Sequence, residues 1–277
     1  MGSSKPSLGW HGSTLVRRVV GIVARGVDGP VVVVRSPGQS LPSLPDAFEV
    51  LDDLEEGRGP LGGLSTGLEA LAGRGEVAYL SSTDVPFLHP AFVRRVVNGM
   101  SAGVDACVPC VRGFRQPLAA AYRVNLGPLV QSLLASDRLR VSSLLESCHW
   151  RALDEAALLA DPDLARFDPG LESVMNLNDS PDYQAATVRP PPTVHVQRFN
   201  EGTRSGIPTS SDTRVRGGFP GRVTIRAATL GAAAEAIGVI LSPHLVVAVN
   251  GDRIRQDPEE PLAEGDVVSF VRVDQGP

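Results

Sequence analysis

The chain has 277 residues, 42% of them hydrophobic and 21% charged, with a formal net charge of −5. This composition suits a soluble globular protein, and the length suggests two domains. Residues 191 to 277 carry 9 basic and 10 acidic side chains and residues 1 to 190 carry 17 and 21, so neither part has the basic field that nucleic-acid binding needs.

Ser13 to Ala24 reads as an amphipathic helix capped by Ser13 or Thr14, with Leu15, Val16, Val19, Val20 and Val23 on its apolar side. Val31 to Val34 is a continuous apolar run, the pattern of a strand buried on both faces. Phe48 to Leu51 is a shorter strand leading to Asp52-Asp53, and Gly63 to Ala72 is helical. Glu76 to Ser81 is a strand that ends at Thr83-Asp84-Val85-Pro86, and Pro90 to Gly99 is a helix. Ala106 to Val111 and Leu118 to Tyr122 read as strands, Leu126 to Ala135 and Ser142 to Glu146 as helices. Such alternation at short loops implies an α/β fold with a doubly wound, mostly parallel sheet. In such sheets ligands bind beyond the carboxyl ends of the strands, where Asp52, Asp53 and Asp84 fall.

Lys5 is the only lysine against 25 arginines, and it lies in the glycine-serine loop Met1-Gly2-Ser3-Ser4-Lys5. A position that keeps lysine in so arginine-rich a chain points to a compact, mobile ammonium for phosphate. Cys107 and Cys110 form a C-x-x-C, but Cys148 is the only other thiol and no histidine completes a zinc set, so all three read as packing residues. The odd cysteine count suits a reducing compartment. No apolar run approaches the ~18 residues of a membrane span and the amino terminus lacks a leader pattern, so a cytoplasmic protein without a membrane partner is expected.

Residues 1 to about 189 resemble the nucleotidyltransferase family that includes molybdenum cofactor guanylyltransferase. The likeness rests on Met1-Gly2 through Lys5, on Gly59-Pro60-Leu61-Gly62, on Asp52 or Asp53 with Asp53 favoured, on Thr83-Asp84-Val85-Pro86, on Gln116-Pro117-Leu118, and on Asn176-Leu177-Asn178. The resemblance implies GTP and molybdopterin cofactor as substrates. Gly2, Lys5, Asp53, Gly59, Pro60, Leu61 and Gly62 would bind the nucleotide, and Asp84 would hold Mg²⁺. Lys5 and Asp84 would carry catalysis, while Gln116, Pro117, Asn176 and Asn178 would contact the acceptor. It also implies a first strand and a glycine-rich stretch ahead of Met1, so either the natural start lies upstream or the enzyme is damaged. A cytidylyltransferase or a phospholactate guanylyltransferase is an alternative within the same fold, and a non-catalytic assembly protein is an alternative outside it.

Pro190-Pro191-Pro192 reads as a stiff linker to a second domain over residues 193 to 277. Val194 to Phe199 suggests a strand, Glu201 to Pro220 a long loop, Arg222 to Arg226 a strand, Leu230 to Gly238 a helix, Leu245 to Val249 a strand and Val267 to Val273 a last strand. Asn250-Gly251 is a hairpin signal. Val247 to Gly251 and Leu262 to Val268 resemble the β-grasp sulfur carriers, such as the small subunit of molybdopterin synthase, whose small α+β fold is thereby implied. That family ends in glycine-glycine, whereas this sequence ends Gln275-Gly276-Pro277. A docking module for other molybdenum cofactor assembly proteins is therefore the favoured reading over sulfur carriage.

Overall fold

The computed structural model describes residues 5–53, 57–200 and 221–272. Gly2, the Glu201-to-Pro220 loop and the Gln275-Gly276-Pro277 tail lie outside them. In chain order the elements are β1 (Gly9–Trp10), β2 (Ser13–Thr14), α1 (Leu15–Ala24), β3 (Val32–Arg35), β4 (Glu49–Asp52), α2 (Gly59–Ala70), β5 (Val77–Ser81), α3 (Pro90–Val97), β6 (Ala106–Val111), β7 (Phe114–Arg115) and β8 (Ala119–Arg123). Then follow α4 (Gly127–Ala135), α5 (Val141–Leu145), β9 (Trp150–Leu153), α6 (Glu155–Leu159), α7 (Pro162–Phe167), α8 (Ser180–Thr187), β10 (Thr193–Asn200), β11 (Val223–Arg226), α9 (Leu230–Ala236), β12 (Leu245–Val249), β13 (Asp252–Ile254) and β14 (Val267–Arg272). They form two compact units, Met1–Trp10 with Thr14–Ala186, and His11–Ser13 with Thr187–Pro277. The division at Thr187 falls three residues before the triple proline.

In the first unit β3 and β4 pair in parallel, Val32 with Glu49 through Arg35 with Asp52. Val16 and Val20 of α1 pack on Val33. On the other face Gly63 and Gly67 of α2 come so close to Val34 that an added Cβ would sit 4.0 and 3.9 Å from its methyls. A second sheet runs β5-β8-β6-β7, with β9 on the other side of β6. Ala106 and Val108 of β6 face Leu61, Leu64 and Leu68 of α2 and Val130 and Leu133 of α4. Cys107 between them points the other way, where Gly99 and Leu153 lie. Helices thus cover both faces, as an α/β fold requires.

Four expectations need correction. The sheets are not mostly parallel: β5 and β6 each pair antiparallel with β8, and among the described residues of this unit β3 with β4 and β6 with β9 are the parallel pairs. The cause lies at Arg112-Gly113, with φ of 53° and 78°, a two-residue reversal after β6 that returns the chain through β7 to β8, antiparallel to β6. The Val31–Val34 run is not buried on both faces, since only Val33 is buried and its neighbours are half-buried. One edge of that strand opens on a cleft. Helix α1 has Thr14 at its cap position with no side-chain cap bond, and the Thr14 hydroxyl is buried without a partner. Helix α2 starts at Gly59, four residues before the expected Gly63, because Pro60 sits in the first turn where its fixed φ and missing N–H are tolerated.

Residues 147 to 175, where the sequence shows no clear periodicity, hold β9, α6 and α7. Asp154 and Asp161 cap the two helices, accepting from the amides of Ala157 at 2.7 Å and Leu164 at 2.9 Å. The cysteines have the packing character expected. Burial pushes the Cys107 and Cys148 thiols up to about 11, and Cys110 upward too, so none is a thiolate at neutral pH.

The second unit is a five-stranded sheet of order β11-β10-β14-β12-β13, with β10 and β14 parallel and the other pairs antiparallel. Val194, Val196, Val247, Val249, Val268 and Phe270 form its core with Leu230, Ala233 and Ala234 of α9. The expected hairpin is present: Asn250 and Gly251 have φ of 54° and 96° between β12 and β13. The buried Asp266 carboxylate accepts from Asn250 Nδ2 at 2.8 Å and the Ala263 amide at 2.7 Å, tying the hairpin to the turn before β14.

Candidate functional site

The strand ends of the first unit present two acidic corners. At the first, Asp52 and Asp53 close β4. Asp52 is drawn to the facing strand, where Arg35 Nε donates to its Oδ1 at 2.7 Å on an exposed edge. Asp53 turns to α2, and its Oδ1 accepts from Thr66 Oγ1 at 3.1 Å. Gly62 makes this approach possible. A Cβ there would stand 2.7 Å from Arg58 Cβ and 3.2 Å from Asp53 Oδ2, so any side chain would push the carboxylate off the helix start. Gly59 has φ of +62°, a left-handed conformation that suits glycine, and lets the chain enter the helix. Leu61, predicted as a nucleotide contact, is fully buried in the core beneath α2 and anchors that turn from below.

The second corner is the turn after β5. Lys5 Nζ donates to Asp84 Oδ2 at 3.2 Å and to the Leu177 carbonyl at 2.9 Å. The Leu177 amide in turn donates to the Asp84 carbonyl at 2.9 Å. Three segments far apart in sequence therefore meet at Asp84. Arg18, itself buried, donates from Nε to the Pro86 carbonyl and fixes the same turn from below. Lys5 is placed by the residues after it: Trp10 meets Phe87 edge-on at 5.4 Å, and Tyr183 donates to the Gly9 carbonyl at 2.7 Å.

Leu177 is 3% exposed and packs with Trp10, Leu15 and Phe87, whereas Asn176 and Asn178 on either side are exposed. Their side-chain amides make no hydrogen bond among the described residues. Gln116 and Pro117 lie before β8, where the Pro117 carbonyl accepts from Tyr122 at 2.7 Å. The Ser82 amide donates to the Leu118 carbonyl at 3.1 Å, which links this segment to the Asp84 turn.

A cleft of about 930 Å³ lies between the two sheets, lined by Val31 to Val34, Pro60, Gly63, Leu64 and residues 77 to 84. Pro60 and Asp84 therefore face one space. Its walls are mostly aliphatic, with Ser82, Thr83 and Asp84 among the polar residues that line it and Arg25, Asp28, Arg74, Arg94 and Asn98 among the others. Among the described residues no three His, Cys, Asp or Glu side chains are grouped to hold a metal ion. A single carboxylate still suits Mg²⁺, which keeps waters and phosphate oxygens as its other ligands. Asp84 fits that pattern, with Oδ2 on Lys5 and Oδ1 without a donor among the described residues.

The model of the MobA-like NTP transferase domain matches residues 1–153. The chain belongs to that family. The transferase domain is 31% identical over 157 residues to a molybdenum cofactor guanylyltransferase of Desulfosudis oleivorans, covering 56% of this chain and 75% of the relative. It is 32% identical over 151 residues to a probable molybdenum cofactor guanylyltransferase of Mycobacterium tuberculosis, covering 53% and 73%. Its fold is like the crystal structure of molybdopterin-guanine dinucleotide biosynthesis protein A from Archaeoglobus fulgidus, with a TM-score of 0.52, 20% identity, and coverage of 67% and 90%.

Sequence reasoning missed three contributors to these corners. Thr66 stands one helical turn after Gly62 on α2, a spacing that could have paired it with Asp53. Leu177 acts through its backbone, which residue type does not reveal. Asp168 is the third: its carboxylate accepts from the amides of Glu172 at 2.7 Å and Ser173 at 2.9 Å, and Ser173 Oγ accepts from the His89 amide at 3.0 Å. That strap delivers residues 174 to 177 to Asp84. No helix among the described residues is long and apolar enough to cross a membrane.

Proposed function

We propose that the first unit transfers GMP from GTP to molybdopterin cofactor and releases pyrophosphate. A terminal phosphate oxygen of the acceptor forms a bond to the α-phosphorus while the bond to the pyrophosphate oxygen breaks. The observation that carries this reading is the Lys5 ammonium held beside Asp84 at a strand end, positioned by the Leu177 carbonyl. An ammonium there is placed to neutralise phosphate oxygens as charge builds on them. Asp53, with its second oxygen facing the α2 start, would receive the base or ribose of the nucleotide. Gln116, Asn176 and Asn178 would meet the acceptor, the two asparagines with unengaged amides. Asp84 would hold Mg²⁺, which when bound offsets charge on the phosphate oxygens. The names of the Desulfosudis and Mycobacterium relatives support guanylyl transfer over the other family chemistries.

The second unit is proposed to be a β-grasp module that docks partners of the same assembly route. Its strand order, with the first and last strands parallel at the centre and one helix packed across, supports that reading.

Calorimetric titration of GTP and of CTP into the full chain with Mg²⁺ tests the first proposal. GTP binding that needs Mg²⁺ and disappears in Lys5→Ala and Asp84→Ala is the expected result. Preference for CTP would move the reading to a cytidylyltransferase, and binding of neither nucleotide would refute it.

A further inference from the structure

The loop from Ser136 to Arg140, which joins α4 to α5, runs along the start of α2. The Leu139 carbonyl lies 3.6 Å from the point where a Cβ on Gly59 would stand, and Val141, just after the loop, is buried in the core and anchors it. Three arginines stand at that start. Arg58 donates from Nη1 to the Leu134 carbonyl at 3.3 Å, and Arg138 from Nη2 to Glu146 Oε2 at 2.7 Å. Arg140 is exposed and has no hydrogen-bond or ion-pair partner among the described residues. Its place in the chain gives it no role in the fold either. It occupies the cap position of α5, extended at φ of −91° and ψ of 138°, and makes no side-chain cap bond. A serine, asparagine or aspartate there would satisfy a helix amide, whereas a cation is repelled by the positive end of the helix. Beside this open donor lie two open acceptors. Asp53 Oδ1 is taken by Thr66, but Asp53 Oδ2 and the Leu139 carbonyl accept from no donor among the described residues.

We propose that Arg140 donates its two-pronged guanidinium to O6 and N7 of a guanine base and thereby sets a preference for GTP over CTP and ATP. This inference rests on the reading of the first unit as a transferase that uses GTP. A planar fork matches two adjacent acceptors, and guanine alone among the bases presents O6 beside N7. Adenine places an amino group where guanine has O6, and cytosine lacks N7 altogether. The donors on the neighbouring edge of guanine, N1–H and the 2-amino group, are of the kind that the Leu139 carbonyl and Asp53 Oδ2 can accept. One base is then held on two edges by groups that the protein leaves open. A lysine at position 140 would keep the charge but not the fork, so the two substitutions Arg140→Lys and Arg140→Ala should behave alike toward the base.

The test is calorimetric titration of GTP and of 7-deaza-GTP, which lacks the N7 acceptor, into the full chain with Mg²⁺ and into its Arg140→Ala and Arg140→Lys variants. The wild-type protein is expected to bind 7-deaza-GTP about 10-fold more weakly than GTP. Both variants should bind GTP about 10- to 100-fold more weakly than the wild type and should no longer tell the two nucleotides apart. A loss in Arg140→Ala that is equal for GTP and 7-deaza-GTP and is restored in Arg140→Lys would overturn the proposal in favour of a phosphate contact. GTP binding that is lost in Asp84→Ala but unchanged in Arg140→Ala would overturn it and leave the transferase reading standing. A wild-type chain that binds no GTP would overturn both together.

Discussion

The two acidic corners of the transferase domain are built in opposite ways. Asp53 is held by a helix that begins six residues later, through Thr66 and the close approach at Gly62. Asp84 is held by residues 79 and 93 positions away, Lys5 and Leu177. The first corner is closed by a side-chain contact only 13 residues apart in sequence, whereas the second requires segments from opposite ends of the unit to meet. The chemistry proposed for Asp84 therefore depends on apolar packing at Trp10, Leu15 and Leu177.

The sharpest way to break the comparison is Asp84→Ala, expected to lower GMP transfer by ~10²–10³-fold, the scale of losing a charge-stabilising group. Lys5→Met should lower it less, and the double variant should lose less than the product, because the two side chains touch. Additive losses in pre-steady-state rates would mean that they act separately. The stability cost of Lys5→Met should stay below about 1 kcal/mol, since the ion pair is partly exposed. Leu177→Ala comes next. Removing this buried side chain should cost about 2–4 kcal/mol in chemical denaturation and release the Asp84 turn. Transfer should fall while Asp53 still binds its part of the nucleotide.

Gly62→Val tests the local corner alone. Its Cβ would displace Asp53, so KM for the nucleotide should rise about 10-fold with little change in kcat. The melting temperature should barely move, since a side chain in place of helical glycine favours the helix by up to about 1 kcal/mol against the local clash. A large fall in kcat with KM unchanged would show that Asp53 serves the reaction and not nucleotide binding.

The same contrast explains what was legible in the sequence. Strand-end aspartates and the Asn250-Gly251 hairpin are local signals, and the structure places both where periodicity and turn chemistry put them, whereas α2 was legible as a helix but begins four residues earlier than its apolar pattern indicated. The antiparallel pairing of β8 was not legible, because Arg112 carries a positive φ that nothing in its type announces. Nor was the strap through Asp168 and Ser173, whose partners are backbone amides. Lys5 stood out by composition, yet its partner Leu177 contributes only a carbonyl, which any residue would offer.

The smallest effect probes that strap. Burial raises the Asp168 carboxyl above its ordinary value of 3.8, against the amide bonds from Ser173 and Glu172 and the nearby His89, which pull it down. The folded state thus holds the Asp168 proton more tightly than the unfolded chain does. Stability from this group is greatest below the ordinary aspartate value and falls as pH climbs through the raised value, after which it is level. Asp168→Asn has no such titration, so the wild-type melting temperature should decline relative to the variant as pH rises through that acid window. A wild-type advantage that grows with pH would show instead that the Glu172 and Ser173 amides stabilise the carboxylate more than burial penalises it. The strap would then be held by charge rather than by packing, and Leu177 would be released from Asp84 by acid.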